Sequence, residues 1–269
     1  MNQHIKNDFF FQQNALCNMM HNDRTIWFSK FEFILEEFKK ISKLESNIVF
    51  ICGNSDYTFT EEIFLQKPDN VKYIYATNSS CSDNKIVFSL PIGIESTFDT
   101  KRIGHGIGFD FAENKEKNIE RVTSNNFNIK NLIYSNFSIN TNIAIRQNIN
   151  NVIKKSKYVT IENNVDINTY FNQIASHEAV LCPIGNGLDT VRTYETFYCN
   201  KIPIIYGSDI IYKNIFVDMP CVYVESLDEI NDENHITLKI QEAKNKKNKI
   251  NKAYLKYWID NIYQKSFLL

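Results

Sequence analysis

The chain has 269 residues, of which 43% are hydrophobic and 23% charged, and its formal net charge is -1 at pH 7. This composition is ordinary for a globular protein and excludes a chain that is disordered throughout. A net charge near zero gives no general attraction for nucleic acid or an acidic membrane. An anionic ligand therefore has to be held by a local group of residues.

The cysteines and the first residues indicate a reducing compartment. Six cysteines occur at positions 17, 52, 81, 182, 199 and 221, without CxxC spacing, which is typical of free buried thiols. The opening MNQHIKNDFFFQQN has no basic stretch followed by an apolar one, so it does not resemble a signal peptide. No apolar run approaches the length of a transmembrane helix. We expect a cytoplasmic protein with no integral membrane segment and no nucleic acid partner.

The first half of the chain begins with a helical pattern and continues with strands. Apolar residues at Trp27, Phe31, Ile34, Leu35 and Phe38 predict an amphipathic helix over 25–43. Short apolar runs predict strands at 47–53, 71–76 and 85–90. From 91 to about 128 the pattern indicates loop, with Gly104, Gly106 and Gly108 and then a charged stretch.

The second half alternates regularly between strands and helices. Strands are predicted at 131–137, 158–161, 178–183, 201–206 and 220–224, and helices at 142–155, 166–175 and 190–199. A lysine-rich helix is predicted at 235–266. Short links between alternating elements predict an α/β fold with two Rossmann-like domains, the N-terminal one irregular. The predicted domains are 1–128, 129–250, and a terminal helix at 251–269 that packs back toward the first domain.

The segment from 176 to 207 carries the strongest chemical signal. A buried strand is followed by a tight loop at Gly185, Asn186 and Gly187, and then by a helix capped by Asp189 or Thr190. Ligands of open α/β sheets lie beyond the carboxyl ends of strands, where glycines allow close approach. The helix N-terminus there has a partial positive charge that suits a diphosphate.

Arg192 and Glu195 are three residues apart and share one face of that helix. A guanidinium can bind phosphate oxygens in a bidentate manner, and a carboxylate can accept both hydroxyls of a ribose. The pair is therefore a candidate clamp for a nucleoside diphosphate. The spacing alone is equally typical of an ordinary ion pair on an exposed helix surface.

With these motifs in view, the chain resembles the exostosin-type glycosyltransferases and related small bacterial and viral enzymes, over about 131–225. The matching residues are Ser176, Leu181-Cys182-Pro183, Gly185 to Gly187, Arg192, Glu195 and Ile202-Pro203-Ile204-Ile205. The run from 131 to 149 is similar to that family's first C-terminal strand, its phosphate-facing loop and a helix that carries Arg146. The sequence departs from the pattern at Asn200, where glycine is common. Asparagine is the next-best residue for a left-handed helix stop.

The resemblance implies a GT-B-type architecture, in which two Rossmann-like domains face a cleft and the C-terminal one binds the donor nucleotide. It also implies inversion at the anomeric carbon, no cofactor and no obligatory metal, and no Asp-x-Asp follows a strand here. Ser138 and Asn140 are candidate hydrogen-bonding residues for phosphate or sugar, or they cap the end of a strand. Arg146 is either a second phosphate contact or a charge on the helix surface.

An inverting transfer needs a base for the proton of the acceptor hydroxyl. Asp56, in the loop directly after the strand at 47–53, is the first candidate, although the end of a strand often carries such a residue for a turn alone. Glu95 and His105 are reserve candidates on the acceptor side, and His105 is also typical of a loop histidine with no role.

The predicted function is transfer of a hexosyl or pentosyl group from a UDP- or GDP-linked sugar to a hydroxyl of a glycan or other acceptor, in glycan biosynthesis. The main alternative is a non-catalytic nucleotide- or sugar-binding module of the same fold, for which Asp56→Asn would change nothing. A second alternative is a sugar phosphorylase or an epimerase, which would share the architecture. A further alternative is an interaction protein without a small ligand, in which Arg192 and Glu195 would have no binding role.

Overall fold

The computed structural model describes residues 10–20, 23–81, 83, 85–95, 109–246 and 250–269. The predicted α/β class is confirmed, with two separate parallel sheets. In chain order the strands are β1 (Ile26–Lys30), β2 (Ile48–Gly53), β3 (Val71–Thr77), β4 (Val87–Leu90), β5 (Asn131–Ser135), β6 (Val159–Ile161), β7 (His177–Pro183), β8 (Ile202–Tyr206) and β9 (Val222–Val224).

Helices connect most of the strands. They are α1 (Gln13–Met20), α2 (Ile34–Ile41), α3 (Glu61–Phe64), α4 (Phe109–Thr123), α5 (Ile143–Ile153), α6 (Ile167–Ala175), α7 (Val191–Tyr198), α8 (Asp209–Ile211), α9 (Leu227–Asn231), α10 (Glu233–Lys244) and α11 (Leu255–Ser266). Short 3₁₀ turns occur at Phe31–Phe33, Ile139–Thr141 and Asn251–Ala253, and a π-helical turn at Tyr212–Phe216 follows α8.

Contacts divide the chain into two compact units. Unit 1 contains residues 1–109, 187–189 and 251–269, and unit 2 contains residues 110–186 and 190–250. The sequence placed the first boundary near 128, whereas the contacts divide the chain at the start of α4, between residues 109 and 110. The reason is that Lys115 of α4 forms a buried ion pair with Glu195 of α7, inside unit 2. The terminal helix α11 lies with unit 1.

Unit 1 is built on a parallel sheet with the strand order β1-β2-β3-β4. On one face, Ile34 and Phe38 of α2 pack with Phe50 of β2. On the other face, Leu16 of α1 and Trp258 of α11 belong to a second apolar cluster. Helices therefore cover both faces of the sheet, which is the usual arrangement for parallel strands.

Unit 2 is built on a parallel sheet with the order β6-β5-β7-β8-β9. The chain leaves β5 toward one edge to form β6, and then returns across β5 to form β7. Right-handed crossovers in opposite directions place their helices on opposite faces. Accordingly, Ile149 of α5 and Ile236 of α10 belong to a cluster on one face. The gap between β5 and β7 is a topological switch point, where ligands bind in open α/β sheets.

Three predictions about elements were wrong. Residues 25–43 form β1, a 3₁₀ turn and α2 instead of one helix, because Ile26 to Lys30 pair in parallel with β2. The predicted loop before 128 contains the fifteen-residue helix α4. The lysine-rich segment forms two helices, α10 and α11, instead of one. In the first of these, pairing with a neighbouring strand outweighs a local helical pattern.

Candidate functional site

The carboxyl edge of the sheet in unit 2 concentrates buried polar atoms that have no hydrogen-bond partner. Among the described residues there are four such atoms: Nδ2 of Asn136, Nε of Arg192, Oγ of Ser208 and Oε1 of Gln173. Asn136 directly follows β5, Arg192 lies in the first turn of the helix after β7, and Ser208 lies two residues beyond β8. We call the first three the unpaired edge atoms. Because most buried polar groups in folded proteins are paired, three at one edge indicate a site for a polar ligand.

A network of buried charges lies behind Arg192. Nζ of Lys115 is 2.5 Å from Oε1 of Glu195, and the two side chains are 7% and 5% exposed. The hydroxyl of Tyr170 donates to Oε2 of Glu195 at 2.6 Å. The guanidinium carbon of Arg192 lies 6.0 Å from the centre of the Tyr170 ring, within the range of a cation–π contact. The exposed-surface alternative for the Arg192 and Glu195 pair is therefore wrong.

This network keeps Glu195 ionised. Burial by itself raises the pKa of the carboxyl, but Lys115, Tyr170 and Arg192 more than compensate, so the pKa of Glu195 is lowered. Burial, followed by the charge of Glu195, raises the pKa of Tyr170 well above its ordinary value. Tyr170 is therefore a neutral donor to a negative carboxylate. The ribose contact predicted for Glu195 stays a prediction, and both of its oxygens already have partners.

Arg146 organises the backbone at the end of β7. Its Nε donates to the carbonyl of Ile184 at 2.8 Å and its Nη2 to the carbonyl of Pro183 at 3.1 Å. Its Nη1 donates to the carbonyl of Ser138 at 2.8 Å and to the hydroxyl of Thr141. The side chain is buried, so the surface-charge alternative is wrong. A contact between Arg146 and phosphate stays a prediction.

The two arginines give the switch point a positive potential. Burial, followed by the charge of Arg192, lowers the pKa of Arg146 to about 10, so the side chain is still charged at neutral pH. The oxygens that accept hydrogen bonds from Arg146 belong to carbonyl and hydroxyl groups, which carry no full negative charge. Arg146 and Arg192 therefore raise the affinity of this edge for an anion.

Two glycines of the loop, Gly185 and Gly187, lie close to polar side chains. A Cβ atom built on Gly185 would lie 2.9 Å from Nη2 of Arg146, so a larger residue there would displace the guanidinium from its position. Asn186 is exposed. Gly187 and Asp189 belong to unit 1, where a Cβ on Gly187 would lie 2.7 Å from Nδ2 of Asn78.

Asp189 is held by hydrogen bonds within unit 1. Its N–H donates to Oδ1 of Asn78 at 2.8 Å, and its Oδ2 accepts from the N–H of Ile92 at 2.9 Å. Thr190 occupies the N-cap position of α7, but its side chain makes no capping hydrogen bond. The first N–H groups of α7 are therefore not capped by that side chain, which leaves the helix N-terminus suited to an anion.

The other predicted donor-side residues lie near the end of β5. Ser138 and Asn140 are exposed, one before and one within the 3₁₀ turn at Ile139–Thr141. The Ser138 carbonyl, rather than its hydroxyl, is the atom that binds Arg146. Phosphate or sugar contacts from these two side chains stay predictions.

The predicted acceptor-side residues lie in unit 1, as far as they are described. Asp56 is exposed in the loop that follows β2. Glu95 is half-buried beyond the end of β4. His105 lies outside the described residues. The catalytic role of Asp56 stays a prediction.

Sequence reasoning missed Lys115, Tyr170 and Ser208. Lys115 reaches Glu195 only through tertiary packing, so no spacing relates the two residues. A signal for its helix was nonetheless present, since Ala112, Ile119 and Val122 are buried with helical spacing. Ser208 follows Gly207, which has a φ of +94°; a glycine and a serine after a buried strand are a weak signal of a binding loop.

The described part of the chain holds neither a metal cluster nor a membrane span. No group of three or more His, Cys, Asp or Glu side chains there has a geometry that would hold a metal ion. No helix there is long and apolar enough to cross a membrane.

Comparison with family models finds no match, and comparison with curated proteins finds none either. Solved structures of glycosyltransferases are similar in architecture. An α1,3-fucosyltransferase with GDP-fucose has a TM-score of 0.43 and 15% identity, over 84% of this chain and 79% of that one. A glycosyltransferase from Rickettsia africae ESF-5 has a TM-score of 0.46 and 12% identity, over 99% of this chain and 83% of that one. Membership of the exostosin family is not confirmed.

Proposed function

We propose that the protein transfers a sugar from a nucleoside diphosphate sugar to a hydroxyl of an acceptor. The observation that carries the proposal is the row of unpaired edge atoms beyond β5, β7 and β8. Two of the three belong to groups that only donate, Asn136 Nδ2 and Arg192 Nε, and a diphosphate consists of acceptors. A ligand that lay along this edge would pair all three atoms.

In the proposed complex the diphosphate lies between Arg192 and the N-terminus of α7. The guanidinium contributes a full charge, and the first turn, which the Thr190 side chain does not cap, contributes backbone N–H groups. Arg146 contributes to the potential and holds the loop that comes before α7. Ser208 follows β8, the strand next to β7, and in the proposed complex its hydroxyl binds the nucleoside end of the same ligand.

The charged network supports Arg192 in this role. Glu195 lies one helical turn from Arg192 and is held by Lys115 and Tyr170. Tyr170 in turn presents its ring to the arginine. We infer that this arrangement restricts the guanidinium to few conformations, which reduces the entropy lost when it binds phosphate.

The proposed reaction is a direct displacement. The acceptor oxygen forms a bond to the anomeric carbon as the bond from that carbon to the phosphate oxygen breaks. Asp56 accepts the proton of the acceptor hydroxyl, and the nucleoside diphosphate leaves with its new charge stabilised by Arg192. This scheme inverts the anomeric centre and requires no metal, and the donor is UDP- or GDP-linked.

The test is the release of nucleotide from a panel of UDP-, GDP-, dTDP- and CMP-sugars, with and without simple glycoside acceptors. We expect one donor to be turned over, and Arg192→Ala to reduce the rate by about 100-fold or more, as for loss of one stabilising donor in other active sites. Arg121→Ala is the matched control, because Arg121 is an exposed arginine in the same unit.

Equal rates for the Arg192→Ala and Arg121→Ala proteins would contradict the proposal. Nucleotide binding without release in the presence of every acceptor would favour the non-catalytic binding module. No nucleotide binding at all would overturn the assignment of the edge in unit 2.

A further inference from the structure

A stacked pair of aromatic rings lies in unit 1 next to the proposed base. The rings of Phe31 and Tyr57 are 5.4 Å apart between centroids and 28° from parallel. Phe31 begins the 3₁₀ turn after β1, and Tyr57 lies in the loop after β2, so both are beyond the carboxyl ends of neighbouring parallel strands. Phe31 is half-buried against the apolar core, whereas Tyr57 is 61% exposed.

The loop that carries Tyr57 is fixed in place. Its first residue, Asn54, has a φ of +55°, and its side-chain amide donates to Oδ1 of Asn14 at 2.8 Å. The hydroxyl of Ser55 accepts from the N–H of Tyr57 at 3.2 Å and donates to Oε1 of Glu32 at 3.3 Å. The backbone that carries the ring is therefore fixed before any ligand arrives, and the stack on Phe31 restricts the ring itself, which lowers the entropic cost of binding.

The surroundings of the ring combine an apolar face with hydrogen-bond acceptors. The carboxylates of Glu32 and Asp56 belong to exposed residues on the same two segments. Aromatic rings have an electron-rich face that attracts polarised C–H groups, and carboxylates accept hydrogen bonds from hydroxyls. A pyranose ring has one C–H face and a rim of hydroxyl groups, and therefore complements both features.

We propose that Tyr57, stacked on Phe31, is the platform on which a sugar ring of the acceptor binds, with its hydroxyls directed to Glu32 and Asp56. The acceptor is then a glycan or glycoside rather than a protein side chain or a simple alcohol. This inference rests on the proposed function, since it assigns the acceptor class of that reaction.

The first experiment observes binding without turnover. Saturation-transfer NMR on the full chain uses the methyl pyranosides of glucose, galactose, mannose and N-acetylglucosamine as probes, without donor. We expect at least one probe to receive saturation at its ring C–H protons. Tyr57→Ala should weaken its binding by about three- to tenfold, the range for one aromatic contact. Tyr57→Phe, which keeps the ring, should bind normally.

Leu65→Ala is the matched control, because Leu65 is a 75% exposed apolar residue of the same unit and is not part of the stack. Equal binding by the Tyr57→Ala and Leu65→Ala proteins would overturn the platform, and so would the absence of saturation for every probe.

A second measurement separates this inference from the proposed function. Release of nucleotide by the wild-type protein tests the proposed function. The KM for the glycoside acceptor tests the platform, and it should rise in Tyr57→Ala but not in Leu65→Ala. If the wild-type protein binds no nucleotide sugar, the proposed function fails, whatever the probes show. If the wild type releases nucleotide and the KM for the glycoside acceptor is equal in Tyr57→Ala and wild type, only the platform fails.

Discussion

Nζ of Lys115 lies 2.5 Å from Oε1 of Glu195, in a part of unit 2 where both side chains are almost completely buried. The other oxygen of Glu195 accepts from Tyr170. Buried charges of this kind are stable only as a pair, because removal of one partner leaves the other desolvated and uncompensated.

We therefore expect Lys115→Met to lower the free energy of unfolding by about 3–5 kcal/mol. The measurement is urea denaturation followed by circular dichroism. Lys117→Met is the control: Lys117 lies on the same helix, is 63% exposed and pairs with Glu113 at 3.0 Å. Its loss should cost about 0.5 kcal/mol or less. Equal losses for the two variants would show that the buried pair is not formed in solution.

The same ion pair makes the free energy of unfolding depend on pH. The pKa of Glu195 is lowered in the folded protein, so its contribution is present above the unfolded pKa of about 4.3 and is lost as pH falls through the lower folded pKa. Unfolding free energies between pH 6 and pH 3 should therefore fall more steeply for the wild type than for Glu195→Gln, which is less stable at pH 6. Parallel curves would contradict the shift.

The sequence predicted the strands of both sheets except β1, because each is a short apolar run next to a turn. It also predicted the left-handed conformation of Asn200, which has a φ of +57°. It did not predict β1 or α4. The residues of β1 also fit a helical period, and they form a strand only because β2 lies beside them.

For the site, local sequence identified Arg192 and the glycine loop but not their partners. The side chains that hold Glu195 come from α4 and α6, which are 80 and 25 residues away by the positions of Lys115 and Tyr170. The spacing along one helix predicted that Glu195 faces solvent or a ribose. Such spacing contains no information about which residues of other helices pack against that face.

The close contact between Gly187 and Asn78 leads to a prediction about stability. In Gly187→Ala the new methyl group would lie 2.7 Å from the side chain of Asn78, so we expect a loss of about 1–3 kcal/mol in stability. Asn78 has a φ of +54°, which glycine also adopts. In the double variant Gly187→Ala, Asn78→Gly the new methyl group has no amide next to it. The loss of stability in the double variant should therefore be smaller than the sum of the losses in the two single variants. Strict additivity would show that this contact is not the cause.

Asn200 tests the helix stop at the end of α7. The residue is exposed and in the left-handed region, where a residue with an ordinary Cβ costs about 1–2 kcal/mol. Thermal unfolding should show Asn200→Ala to be less stable than the wild type and Asn200→Gly to be equal or more stable. The reverse order would indicate that the asparagine side chain has a specific partner.

Ser208 gives a prediction in which stability and binding change in opposite directions. Its hydroxyl is buried without a partner and does not cap α8, so the free protein carries the cost of an unsatisfied group. Ser208→Ala should therefore raise the free energy of unfolding by about 1 kcal/mol. If the hydroxyl binds the nucleoside, the same variant should bind nucleoside diphosphate more weakly by a similar amount, measured by calorimetry.

Ser176 provides the matched control, because it is equally buried but its hydroxyl donates to the carbonyl of Asn172 at 2.7 Å. Ser176→Ala should lose stability and leave nucleotide binding unchanged. If Ser208→Ala behaved in the same way as Ser176→Ala, its hydroxyl would have a structural role only. The nucleotide site would then have to be explained by Asn136 and Arg192 alone, since these are the other unpaired edge atoms at the switch point.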